Sequence, residues 1–248
     1  MLKQIMLLLL LSVSLVSADV VINEFMARNR GAHANAAGDD SADWIELHNN
    51  GSLPADLTGW HLSDDSFDLA KWRFPTSSIP AGGYLLVYAD KSNTSVVSGE
   101  LHADFALSTD GEALVLVAAD SNTVVDSVTT FEFGPGLFGY PPQTENISYG
   151  RNATNRFSYF DPATPGQVNA GGAADFVADT KFSRDRGFYS NAFELAIATT
   201  TPDATIYYTT NGSTPDASSA LYDGPITINQ TTCIRARAYK AALYPTDI

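Results

Sequence analysis

Asp43, Trp44, Glu46 and His48 crowd into one short stretch, DWIELHNN at 43–50. An acid, a base and an indole platform so close together are the ingredients of general acid–base chemistry on a stacked substrate. Period-2 alternation divides the set, however. Ile45 and Leu47 fall on one face of an extended segment, while Trp44, Glu46 and His48 fall on the other. Asn49-Asn50-Gly51 then turns the chain, and no third partner for the acid and base is visible along the sequence. The stretch therefore reads as a structural strand rather than an active site.

Other candidate chemistry is equally thin. The four histidines, His33, His48, His61 and His102, form no His-Glu-x-x-His word and no pair at metal-ligand spacing. No Gly-x-Ser-x-Gly pentapeptide offers a serine nucleophile. GPGLFG (134–139) lacks the Lys-Ser/Thr and following helix of a phosphate cradle and reads as a loop packed over a sheet edge. Cys233 sits in a strand pattern, away from any helix N-terminus that would lower its pKa. Asp39, Asp40 and Asp43 form one acidic cluster and Asp64, Asp65 and Asp68 a second. Calcium would need six to eight oxygens, but Ala42 and Ile45 stand where EF-hand spacing wants ligands. Both clusters read as solvated turns. Trp44, Trp60 and Trp72, with Tyr84 and Tyr88, could stack on sugars if exposed, but beside Leu47, Leu57 and Leu62 they read as core. No catalytic, cofactor-binding or metal residue is assigned, and the ligand-binding residues stay unknown.

The elements that would position these residues are strands. YLLVYA (84–89), EALVLVAA (112–119) and VVDSV (124–128) are short apolar or β-branched runs bounded by Gly, Asn, Asp and Ser. DG at 110–111 and DSN at 120–122 read as hairpin turns. SFDLAKW (66–72) could form one helical turn, and no longer apolar period near 3.6 occurs. DPATPGQVNAGGAAD (161–175) is rich in Pro, Gly and Ala and reads as a linker. A second strand set follows: FELAIATT (193–200), TIYYTT (205–210), PITI (225–228) and CIRARAY (233–239). In the last, Ile234, Ala236 and Ala238 share one face and Arg235 and Arg237 the other, either as a solvated face or as an anion site.

Composition bounds the class. The chain is 44% hydrophobic and 17% charged, which is globular. A formal charge of −14 argues against a nucleic-acid partner, because phosphate-backbone affinity comes from Lys and Arg. A single cysteine permits no internal disulfide. Lys3, the apolar run Ile5–Val16 and the small residues Ser17-Ala18 read as a signal peptide over 1–18, too short in its core for a membrane span. The expected location is secreted or on the extracellular cell surface, with no transmembrane segment after cleavage.

Several ordered words then carry a resemblance. VINEFMARNR (21–30), DWIELHNNG (43–51), DLTGWHLSDD (56–65), KWRFP (71–75), IPAGGYLLVYAD (79–90), FALSTDGEALVLVAADSNTVVDSV (105–128) and SYGR (148–151) resemble a lamin tail domain. TPGQVN (164–169) resembles the close of bacterial secreted members. Where those commonly carry an Asp-Glu-Asp-Gly-type stretch, this chain reads NAAGDDSAD (35–43), so no ion site is carried over. FSRDRGFYSNAFELAI (182–197), ATIYYTTNGSTPDASSALYDGPITI (204–228) and IRARAYK (234–240) resemble the chitobiase/β-hexosaminidase C-terminal module, with Asn211 in place of the usual turn Asp.

The resemblance implies an all-β chain: two immunoglobulin-like β-sandwich domains in tandem, the second incomplete at its C-terminal end. The expected organisation is a signal peptide (1–18), a lamin-tail-like sandwich (19–160), a linker (161–178) and the chitobiase-type sandwich (179–248). It further implies a non-catalytic binding or structural pair, the N-terminal part of a larger extracellular protein. The alternative is a carbohydrate-binding accessory to a downstream glycosidase or CotH-like kinase. Expected partners are a polysaccharide or a cell-surface protein, with no cofactor.

Overall fold

The structure, a computed structural model, describes residues 19–92 and 94–246. The expected signal peptide lies outside the described residues. Two compact units emerge, one made of the chain through Ser148 together with Pro162–Val168, the other of Tyr149–Asp161 with Asn169–Ile248. Both are built from strands, and no helix occurs among the described residues. SFDLAKW, with one helical turn expected, forms turns and a bend that lead into a strand at Trp72. Asp65 explains this: its carboxylate accepts the Phe67 N–H and its carbonyl the Asp68 N–H, a local geometry that competes with helix.

In the first unit, β1 (Val20–Met26), β2 (Asp43–Asn49), β7 (Tyr84–Ala89), β9 (Glu100–Ala103) and β8 (Val96–Val97) lie side by side in that order. Opposing them are β11 (Val124–Val128), β10 (Leu114–Val117), β4 (His61–Ser63) and β5 (Trp72–Arg73). The short pair β3 (Ala55–Asp56) and β6 (Ser78–Ile79) sits apart. Ile45 pairs with Phe25 and Val87, and Leu47 with Ile22 and Leu85, so an apolar stripe runs across three strands. Leu62 pairs with Leu116 and Trp72 on the other sheet. Ile22, Phe25, Ile45, Leu47, Leu62 and Leu116 are all sealed from solvent. Burial on that scale is what holds a domain without disulfides.

The DSN turn closes the antiparallel β10–β11 hairpin, as its Asp-Ser-Asn chemistry requires. The DG turn does not close a hairpin. It lies between β9 and β10, which belong to different sheets, so Asp110-Gly111 turns the chain from one sheet toward the other. GPGLFG is also not a plain loop: it spans the turn and second strand of a hairpin, β12 (Phe131–Gly134) with β13 (Leu137–Gly139).

The strand β14 (Ser148–Arg151) enters the second unit at Tyr149 and neighbours β15 (Phe157–Phe160). The unit continues with β16 (Lys181–Phe182) against β18 (Ile197–Ala198), and β17 (Phe193–Leu195) against β21 (Ile226–Ile228). Then β19 (Thr205–Thr209) lies between β20 (Ala220–Leu221) and β22 (Arg235–Tyr239). Its core gathers Val177, Ile197, Ile206, Ala236 and Ala238. Ala236 and Ala238 face inward as the alternation in CIRARAY predicts. The two arginines on the other face are tied to the protein: Arg235 donates to the Gly212 carbonyl at 3.3 Å and Arg237 to the Thr246 carbonyl at 2.9 Å.

Candidate functional site

Glu46 does not face water. It lies on the side of β2 away from the inter-sheet core, directly across from Glu24 of β1, and both carboxylates are fully buried. Like charges opposite one another in a sheet repel, so each must be supplied with donors. Asn23 Nδ2 donates to Glu46 Oε1 at 2.7 Å, and the backbone N–H of Gly166 donates to Glu46 Oε2. Thr164 gives Glu24 two bonds, its N–H to Oε1 at 3.0 Å and its hydroxyl to Oε2 at 2.9 Å. The Ser148 hydroxyl completes the set on Glu24 Oε1. Residues 162–168 thus join the first unit through Thr164 and Gly166, which lie over the two acids. Burial pushes the Glu46 carboxyl up to about 7, against the Gly166 and Asn23 donors that hold it down, and the Glu24 charge adds to the rise. Sealed from solvent, with Asn23 and Gly166 donating to Glu46 and Thr164 and Ser148 to Glu24, the pair fastens a loop.

The remaining members of the opening set scatter. Trp44 packs with Met26, Ala42 and Tyr88 as buried core. Burial pushes the Asp43 carboxyl up to about 6 despite N–H donors from Asn29 and Leu107. His48 is only half-buried and stacks on Tyr84, ring centroids 4.3 Å apart. Trp72 is buried and Trp60 half-buried.

Sequence reading missed an imidazole–carboxylate pair. His102 Nδ1 lies 2.7 Å from Asp90 Oδ2, a dyad created by the parallel pairing of β7 with β9 that sets Tyr88 beside His102. His33 flanks the same tyrosine, its Nε2 at 3.2 Å from the Tyr88 hydroxyl. Burial, with the neighbouring Glu100, pushes the Tyr88 phenol up to about 12. A carboxylate-oriented imidazole is two thirds of a nucleophile-activating triad. Here His102 is 3% exposed and its Nε2 is buried without a hydrogen-bond partner, so no nucleophile stands at its free end.

The acidic loops are occupied locally. Asp39 accepts the Ser41 N–H and hydroxyl, at 2.9 and 2.7 Å. Asp64 pairs with Lys71 at 2.5 Å. Among the described residues no three His, Cys, Asp or Glu side chains converge on a point where a metal ion could be held.

The first unit exposes aromatic rings such as Phe67, and in the second unit exposed aromatics gather beside a cleft. A cleft of about 540 Å³ opens between the 182–195 segment and residues 228–234. Tyr189 and Phe193 pack with ring centroids 4.6 Å apart, and the Arg184 guanidinium lies over both, at 5.6 and 4.8 Å. The Tyr189 hydroxyl donates to the Asp185 carbonyl at 2.7 Å, closing the loop on itself. That loop presents Phe188 to solvent in full. Asn191, Asn229, Gln230 and Thr232 supply amide and hydroxyl groups to the same walls. The solvated Phe188 ring thus stands beside a cleft of mixed polarity, an apolar face next to hydrogen-bonding groups.

Two family models match this chain. Residues 14–132 match the Lamin Tail Domain, and residues 185–248 match the Chitobiase/beta-hexosaminidase C-terminal domain. The chain carries a lamin tail domain followed by a chitobiase/beta-hexosaminidase C-terminal domain. Both are immunoglobulin-like β-sandwich domains, set in tandem in an all-β chain. A comparison with curated proteins finds no match. The buried Glu24–Glu46 pair belongs to the lamin tail domain. The aromatic cleft falls mostly within the residues matched to the chitobiase-type domain, with Phe182 and Arg184 just ahead of them.

Trp44 and Trp72 lie in the core, as the sequence predicts. The exposed aromatics of FSRDRGFYSNAF carry a signal of their own: Phe188 and Tyr189 sit among Arg, Ser, Asp and Asn, with no strand alternation to bury them.

Proposed function

We propose that the chain is a secreted, non-catalytic module pair whose chitobiase-type domain binds glycan through the Phe188 cleft. The observation that carries this is the fully exposed Phe188 ring beside the Arg184–Tyr189–Phe193 stack. The electron-rich face of such a ring attracts the C–H face of a pyranose, and the amide and hydroxyl walls suit sugar hydroxyls. The family name, taken from chitobiase and β-hexosaminidase, is in keeping with a glycan partner. A non-catalytic role is in keeping with the Glu24–Glu46 pair, which is buried and holds a loop. Secretion rests on the Lys3, Ile5–Val16 and Ser17-Ala18 pattern at the N-terminus.

Retention on insoluble chitin and cellulose, compared between wild type, Phe188→Ala and Tyr189→Ala, tests the binding. Wild type is expected to be retained and Phe188→Ala to be lost to the flow-through at unchanged melting temperature. Equal behaviour of wild type and Phe188→Ala would exclude the cleft as the glycan site.

A further inference from the structure

The charges around the cleft narrow the ligand beyond a sugar in general. Arg184 and Arg186 both line it, and neither makes an ion pair among the described residues. One carboxylate, Asp185, lines it with them, which leaves the rim with a net positive charge. This stands out against the rest of the molecule. The first unit holds six Lys and Arg against nineteen Asp and Glu, while the second holds eight against nine. At physiological ionic strength a charge is felt over about 8 Å. The pair of guanidinium groups lining the cleft therefore acts directly on what enters it.

The geometry divides the two arginines. Arg184 is held over the Tyr189 and Phe193 rings, so its planar face is spent on stacking while its edge N–H groups remain free to donate. Arg186 is exposed, two residues before Phe188 on the same loop. A guanidinium edge meets a carboxylate through two parallel N–H···O bonds, and Arg does this where Lys cannot. We propose that the cleft selects carboxylated glycans, chains of uronic acid residues, with one sugar face on Phe188 and its carboxylate on Arg186 and Arg184. This rests on the glycan reading of the cleft and adds to it the charge of the ligand. A nucleic acid strand would also offer rings and anions, but its phosphates are spaced along a backbone and its affinity depends on many cations at once. This rim offers two.

The test is titration of the full chain with polygalacturonate, its fully methyl-esterified form, dextran sulfate, a neutral β-glucan and oligothymidylate at neutral pH. Esterification removes the charge and keeps the sugar. Polygalacturonate is expected to bind roughly tenfold more tightly than its ester, the size of one charge-assisted hydrogen bond. Arg186→Gln should erase that difference, and Phe188→Ala should weaken the acid and the ester alike. Both side chains are exposed, so neither variant endangers folding, and a circular dichroism melt verifies it. If the ester and β-glucan bind as well as the acid and Arg186→Gln is silent, the carboxylate inference fails while the glycan cleft stands. If no glycan binds wild type, both fail. Tighter binding of dextran sulfate or oligothymidylate than of polygalacturonate also overturns the inference, in favour of a sulfated glycan or a single strand.

Discussion

The carboxylate of Glu46 accepts the backbone N–H of Gly166, a residue 120 positions further along the chain. That bond, with the two that Thr164 makes to Glu24, explains why a Pro- and Gly-rich stretch with no strand of its own lies on the lamin tail domain. An acid at the middle of a buried sheet face is a liability unless donors reach it, and donors from a distant loop make the loop part of the fold.

Glu24→Gln should therefore destabilise the domain. The amide nitrogen that replaces one oxygen cannot accept, so the hydroxyl of Thr164 or Ser148 facing it must turn from donor to acceptor, and the bonds that remain lose their charge assistance. The expected cost is about 1–3 kcal/mol, or a melting-point fall of roughly 2–4 °C per kcal/mol in a domain of this size. Thr164→Val should lose the hydroxyl bond but keep the N–H bond, and cost less. Thermal melts of both variants decide it; an unchanged midpoint for Glu24→Gln would show that the loop is held by something else.

Stability should also fall as pH rises through neutrality. The Glu46 carboxyl, ordinarily near 4.5, is pushed up to about 7 in the folded chain, chiefly by burial. Between those values the folded state holds a proton that the unfolded state has released, so folding is favoured most at the acid end. The contribution is fully present below about 4.5 and is lost as pH climbs through about 7, a span on the order of 3 kcal/mol. Asp43, pushed up to about 6, acts in the same direction from its own lower starting value. Chemical denaturation at pH 5 and pH 8 measures the difference, and Glu46→Gln should flatten the slope. A stability that climbs from pH 5 to pH 8 in wild type would contradict this account.

These features mark where the sequence could be read and where it could not. Alternation in DWIELHNN separates Ile45 and Leu47 from Glu46 correctly, because strand faces are a local property. It cannot say that the Glu46 face is covered, since the cover is Thr164 and Gly166, far beyond any local window. The Asp90–His102 dyad was hidden for a related reason: it needs the parallel register of β7 and β9, which no turn signal encodes. CIRARAY was legible as a half-buried strand, yet the carbonyls of Gly212 and Thr246 that its arginines meet come from segments no local window joins to it. The aromatic loop from Phe182 to Phe193 is mostly irregular, and irregular segments escape a reading built on periods.

Calcium should leave the lamin tail domain unmoved. A calcium site needs several carboxylate oxygens free to turn inward. Asp39 is committed to Ser41, Asp64 to Lys71, and Asp65 to the Phe67 N–H. Melting curves in millimolar calcium and in chelator are expected to coincide. A midpoint several degrees higher in calcium would mean that these turns open and reassemble around the ion.

Gly139 supplies the sharpest test of why GPGLFG is rich in glycine. A Cβ built at Gly139 would stand 1.8 Å from the Glu112 carbonyl oxygen and 2.8 Å from the Ala113 nitrogen, both backbone atoms that cannot swing away. The close approach is fixed by the neighbouring bond from the Tyr140 N–H to that same Glu112 oxygen, at 3.0 Å. Gly136, at the hairpin tip, has φ of +74° but open space around it. Substituting each by Ala separates the two reasons for a glycine. Gly136→Ala meets only the left-handed backbone penalty, about 1 kcal/mol. Gly139→Ala must push β13 off the segment that leads into β10, and about 3 kcal/mol is expected. If the two variants melt together, the contact at Glu112 yields more easily than backbone packing should. If Gly139→Ala alone loses the transition at a lower temperature, glycine is there for proximity, and no phosphate is needed to account for it.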